Sequence, residues 1–268
     1  LAILDVINLG TSSPGVPIDW STMSNYTVVA GGEITWTGAS QFLGGGLLHS
    51  NGKFLRSGSG YVEGDVTSST EFETKGNAGG LDGDVTAPII SGKTAKILGT
   101  KTVAAVPLVT IPDIDLTPYY NEALDNGEVY SGSVNINAGE SPVGGIMWVE
   151  GDLHISGNAD FTGSYFATGN ISISGNGSLT GVSGYPTLVS RDGDISFSGQ
   201  KDVTGLIYVK SGDYDQTGGN TLNGQIIVKG DIKKAGNSMV GNYVNSPPTT
   251  PGSGGSTETI LGLNAWQR

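Results

Sequence analysis

The chain has 268 residues, 45 of them glycine, with 13 Lys and Arg against 25 Asp and Glu and a formal net charge of −12. Such an acidic balance repels phosphate backbones and anionic lipid, so nucleic-acid and membrane-surface binding are not expected as bulk properties. With no cysteine there is no thiol chemistry. Collagen is excluded because the glycines follow no Gly-X-Y period, and no run of about 18 apolar residues is present to form a membrane-spanning helix.

In chain order, residues 1–9 are apolar. They read either as a mature end left by processing or as the stump of a removed hydrophobic helix. Residues 27–43 (TVVAGGEITWTGASQFL) and 47–63 alternate apolar and polar side chains between glycine-rich corners. This is the period-2 pattern of strands with one buried face. Gly64-Asp65-Val66-Thr67 and Gly83-Asp84-Val85-Thr86 are near-identical starts of two further units. Residues 106–143 change character, with prolines at 107, 112 and 118. The only helical signal in the chain lies there, over 118–125, with Thr117 as N-cap and Pro118 at the first helical position. The segment is expected to bridge two stacks and to cap an exposed end.

From Gly145 the repeat becomes regular, with units starting at Gly145, Gly163, Thr187, Gly205 and Gly224. Each carries three apolar clusters, as in Ile146/Trp148, Leu153/Ile155 and Phe161. One corner is Gly-Asp or Gly-Asn and another is Ser-Gly-Asn-like. Gly, Asn and Asp adopt φ > 0 at low cost, as a coil turning three times per unit requires. One unit therefore makes one coil, and the coils stack through parallel pairing. Residues 246–256 read as an extended linker and 257–266 as one last strand. The expected fold is all-β, a right-handed parallel β-helix (β-solenoid) of roughly nine coils with a short helical bridge and a C-terminal strand. The divisions are an N-terminal segment 1–25, a first stack 26–105, the bridge 106–143, a second stack 144–245, and a linker with strand 246–268. Ile155, Ile173, Ile195 and Phe197 should point inward.

The run GGIMWVEGDLHISGNADFTGSYFATGNISISGNGSLTG, together with PLVTIPDIDLTPYY and a chain end close to a Trp, resembles the β-helical domain of type IV pilus-associated, PilX-like minor pilins. It is more distantly similar to bactofilin-like polymer-forming proteins. The resemblance covers most of the chain from Tyr26 onward. It implies a non-enzymatic part in pilus assembly, adhesion or surface structure, with an extracellular or cell-surface location. The prepilin cleavage motif and long hydrophobic N-terminal helix of that family are not in this sequence.

No residue is singled out as catalytic, cofactor-binding or metal-ligating. Asp152, Asp194, Asp213 and Asp231 recur at one corner, with Asn170 in the same slot. Asn there fits a turn in which the side chain bonds its own backbone; calcium ligation by the column is the competing reading. His49 and His154 have no spaced partner, which leaves zinc or triad chemistry unsupported. Asn25, Asn170 and Asn176 open N-glycosylation patterns of the kind that chance supplies in so polar a chain. Trp36 and Trp148 sit among apolar neighbours and read as core or face residues rather than as a sugar-stacking platform. The function expected is a non-enzymatic extracellular structural protein, pilus-linked or filament-forming, without a cofactor. Its expected partners are other pilus or surface-filament subunits, itself through its termini, or surface glycans. A carbohydrate-binding adhesive module is the alternative, and a polysaccharide-active β-helix enzyme a more distant one.

Overall fold

Residues 23–241 are described by a computed structural model. Residues 1–22 and 242–268 lie outside them, and with them Trp20, Trp266, the apolar start and the C-terminal strand. Tyr26 onward folds as a parallel β-solenoid. One face is eleven strands deep and a second is a sheet of ten. That gives eleven rungs, rather than nine, and a stack on the order of 50 Å at the usual strand spacing.

A typical rung runs through three short strands, as in Ser164–Ala167, Ile171–Ile173 and Asn176–Thr180. Each strand pairs in register with the same part of the rungs before and after it. Ile173 lies between Ile155 and Phe197, and Ile171 beside Ile195. All five are at most 2% exposed, so in these rungs the inward residues form apolar files. Val66 and Thr67 pair with Val85 and Thr86, as the matching starts of those units require.

Two kinds of corner need glycine for different reasons. At the Ser-Gly-Asn corner, Gly175 has φ +80°, and a Cβ there would stand 2.1 Å from the carbonyl oxygen of Gly157 one rung back. At the Gly-Asp corner the constraint is closeness alone, since a Cβ on Gly212 would meet the Gly193 carbonyl oxygen at 2.3 Å. Among the described residues no Asp or Asn has positive φ. The expectation that these residues supply left-handed corners is therefore corrected; only glycine does.

The rung order could not be read from the chain order. The first described strand, Tyr26–Ala30, does not begin the stack. It pairs on one side with Leu47–Ser50 and on the other with Thr221–Val228, Val28 opposite Ile226 and Ala30 opposite Val228. The chain climbs from that strand to Lys101–Val103 at one end of the stack. It then runs back outside and re-enters at Val129–Ser131 at the opposite end. From there the second half climbs toward the first until the two meet in the middle. The two halves thus share one core, and Met23 and Gly241 lie at the two central rungs.

The bridge is accordingly a strap along the eleven-stranded face rather than a step between neighbouring stacks. It contains one α-helix, α1 (Thr117–Asp125). Its N-cap is Leu116, not Thr117, and the Asp115 carboxylate accepts the Thr117 N–H at 2.9 Å. Pro118 occupies the first turn, where its missing N–H costs nothing.

Candidate functional site

Three features concentrate polar or aromatic side chains: a ladder at the Gly-Asp corner, the strap with the face beneath it, and a charged interior at the junction of the halves.

The Asp column lies in one line, but its side chains do not close turns on their own backbone. Asp152 Oδ1 accepts the N–H of Asn170 at 2.7 Å, and Asn170 Oδ1 that of Asp194 at 2.9 Å. Asp194 accepts from Asp213, Asp213 from Asp231, and Asp231 from Glu33, each at 2.8 Å. Each side chain thus ties its rung to the next, and the last bond crosses the junction between the halves. Asp65 and Asp84 repeat the motif toward Asp84 and Thr100. Asn170 serves as well as Asp because the bond needs only an accepting oxygen. Among the described residues no group of three or more His, Asp or Glu converges as a metal site would require. Asp194→Asn should therefore leave the midpoint of chemical unfolding nearly unchanged. Asp194→Ala, which leaves the Asp213 N–H without its acceptor, should cost about 1 kcal/mol.

The strap lies over outward-facing side chains of the eleven-stranded face. Val29, Trp148, Phe166, Val189, Tyr208 and Ile227 form a second apolar cluster with Ile111, Ile114, Leu116, Tyr119 and Ala123. The Tyr119 ring stacks on Phe166 with centroids 4.9 Å apart, and Tyr120 meets Trp148 edge-on at 5.3 Å. Polar bonds pin the strap rung by rung. Asn51 makes a reciprocal pair with the Val109 backbone, donating at 2.9 Å and accepting at 2.7 Å. Tyr208 donates to the Pro112 carbonyl at 2.9 Å. Asp113 takes ion pairs from Lys229 and Lys210 at 3.0 and 3.2 Å, which hold its carboxyl below the ordinary range. The inserted loop after the second regular unit joins this set, Tyr185 donating to Glu122 at 2.7 Å. Asn51→Ala should loosen the strap locally, lowering hydrogen-exchange protection of the Val109 amide about tenfold, the equivalent of one hydrogen bond.

The covered face carried a signal in the sequence. Strands Ile146–Glu150, Ser164–Ala167 and Leu188–Ser190 hold continuous buried runs rather than alternation, the mark of a sheet covered on both sides. Trp148 is 4% exposed beneath α1, and Trp36 is fully buried, donating its indole N–H to the Ser40 carbonyl at 3.0 Å. His49 lies at the strap edge between Thr67 at 2.8 Å and Asn51 at 2.9 Å, and burial lowers its pKa. His154 contacts Ser172 at 2.7 Å. Each histidine is held by neighbouring rungs. Beside α1 an open groove of about 360 Å³ is lined by Asp115, Tyr120, Trp148, Glu150, Arg191 and Lys210.

The interior charges were not foreseen. One inward file passes from Phe197 through Gln216, Lys234 and Trp36 to Arg56, crossing the junction. The Lys234 ammonium donates to Gln216 Oε1 and lies 5.2 Å from the centre of the Trp36 ring. The Arg56 guanidinium donates to the Gly60 carbonyl, and its Nε finds no hydrogen-bond partner. Neither has a carboxylate beside it in the described residues. Burial lowers the Lys234 pKa to about 7 and that of Arg56 to about 10. Lys201 is buried in the same way, held by the carbonyls of Asn176 at 2.6 Å and Ala159 at 2.8 Å.

No protein-family model matches the sequence, and comparison with curated proteins gives no match. Among solved structures, the chain is similar to the crystal structure of an ice-binding protein from an Antarctic biological consortium. The two share 12% identity with a TM-score of 0.29, over 86% of this chain and 93% of that one. So distant a likeness has no bearing on what this chain binds.

Proposed function

We propose that the protein is a non-enzymatic structural element of the cell surface, pilus-linked or filament-forming, that serves surface assembly or adhesion. The observation that carries this reading is the interlocked stack. Two halves separated by a long strap close one core, so the rod holds its shape without disulfides. Its described chain enters and leaves at the two central rungs. A body built in this way presents two ends and the faces that the strap leaves uncovered. Its side chains are spent on holding the stack together: the Asp ladder and the interior files act between neighbouring rungs, and the strap pins fasten the strap across them.

Surface filaments sheared from cells that make the protein should contain it, detected by antibody along the filament. Confinement to the cytosolic fraction would overturn the reading. So would turnover of a polysaccharide by the purified chain.

A second reading, an adhesive module for surface glycans, draws on the groove beside α1. Tyr120 offers a half-buried aromatic ring there, with Glu150, Arg191 and Lys210 as polar partners. Retention on a glycan array that is lost in Tyr120→Ala would favour it.

A further inference from the structure

The two ends of the stack are chemically opposite. On the eleven-stranded face, one inward file passes through Met147, Leu188, Ile226, Leu48 and Val85, and its residues are apolar throughout its length. It terminates in a charge at both ends. Lys101 follows Val85 at one end. At the other, Val129 pairs with Trp148, which sets Glu128 against Met147. The adjacent inward file ends in Val103, opposite Ala87, and in Tyr130, opposite Val149. Val103 is 70% exposed and Tyr130 38%, although both occupy core positions, because no described rung follows them.

The surroundings carry the same asymmetry. Residues 85–112 include Lys93, Lys96 and Lys101 and no Asp or Glu, and the acid that reaches this last rung is Asp84, through the Thr100 N–H. From 117 to 190, at and near the opposite end, stand Glu122, Asp125, Glu128, Glu140, Glu150 and two further Asp, with no Lys or Arg. Large apolar side chains gather at both ends. Ile89, Leu98 and Val103 are 55%, 66% and 70% exposed at the basic one, and Val143 is 65% exposed at the acidic one. Among the described residues, strand Lys101–Val103 pairs only with Val85–Ala87, and Val129–Ser131 only with Ile146–Glu150. Each therefore presents a row of open backbone donors and acceptors, which invites another strand.

We propose that the protein assembles head to tail with a second copy of itself, the Lys101–Val103 edge of one molecule joining the Val129–Ser131 edge of the next. Extending the parallel register by one rung sets Val103 against Tyr130, the apolar contact at the centre of the joint, and brings Lys101 toward Glu128, whose 7% exposed carboxylate already accepts from the Tyr130 hydroxyl and the Val143 N–H. The second sheet ends one rung earlier at the basic end, at Ile89–Gly92, so the joint runs through the strap-bearing sheet. A contact between two different ends does not close on itself and propagates into a filament. The inference rests on the structural reading above and names the partner and the surfaces.

Sedimentation of the purified full chain tests it. Wild type should form a concentration-dependent series of assemblies that salt weakens. Val103→Asp alters the exposed basic end, and Tyr130→Asp the acidic end, so that the two altered ends carry like charges and cannot join each other. Each alone should be a folded monomer, with association weakened about a hundredfold, as for loss of a central contact. Mixed in equal amounts, the two variants should form heterodimers and nothing larger, because each retains the end the other lacks. A monomeric wild type overturns the proposal. So do homodimers of Val103→Asp, which would mean that like ends meet, and so does a mixture that stays monomeric. If wild type is monomeric in solution yet is recovered from surface filaments, this inference fails and the structural reading stands.

Discussion

Ile173→Asp is expected to abolish cooperative folding of the solenoid at neutral pH. Ile173 is 1% exposed and sits in the middle of an inward file between Ile155 and Phe197. Neither Ile155 nor Phe197, the residues on either side of it, offers a hydrogen bond or a cation; Gln216 and Lys234 stand farther along the file, beyond Phe197. A carboxylate there is either buried unpaired or protonated at a cost, and several kcal/mol of destabilisation follow. That is a large part of the 5–15 kcal/mol typical of a domain. Because the halves share one core, damage to this rung should lower the unfolding midpoint of the whole body, read by circular dichroism in denaturant. Asp194→Asn, a charge change of the same size at the exposed corner, is the control. If the two variants lose equal stability, the files are not what holds the rungs together.

The second large effect is a rise in stability from pH 7 to pH 9. Lys234 has a folded pKa near 7 against an unfolded value of 10.5. Between those values the unfolded chain binds the proton and the folded chain does not, so unfolding takes up protons and stability climbs with pH. Below pH 7 the group is charged in both states, its contribution is flat, and the full cost of burying the ammonium remains. Over two pH units the gain should be about 2 kcal/mol, read from chemical denaturation at each pH. Above pH 10 the buried tyrosines reverse the trend. Burial raises the pKa of Tyr208 and Tyr214, so the unfolded chain then loses protons first. Lys234→Met should remove the rise between pH 7 and 9. It replaces a buried ammonium by an apolar chain of similar length, and such exchanges are often neutral or stabilising. A wild-type curve that is flat over this window would show that the ammonium is solvated in the folded state.

The sequence alone was sufficient for the rung and much of its packing. Alternation in Leu153–Ile155, Ile171–Ile173 and Ile195–Phe197 identifies strands and their inward residues, because side-chain direction in a strand reverses at every residue. The repeated Gly-Asp corners placed the turns in line, and the matched starts at Asp65 and Asp84 set a register that the structure keeps. The role of the aspartates was beyond that logic. Whether Asp194 bonds its own turn or the next rung depends on which backbone stands about 3 Å away, and that backbone belongs to Asp213. Rung order was beyond it as well. Every strand of the stack offers the same pattern of donors and acceptors on both edges, so nothing local distinguishes an end rung from a middle one. Only folding brought Val28 against Ile226, and in doing so set Lys234 beside Trp36 and placed Glu128 and Lys101 at opposite ends of one file. The continuous apolar runs under the strap did signal a second cover, but which segment supplies it is a tertiary fact. It is decided by the length of chain needed to return from Val103 to Val129 along the outside of the stack.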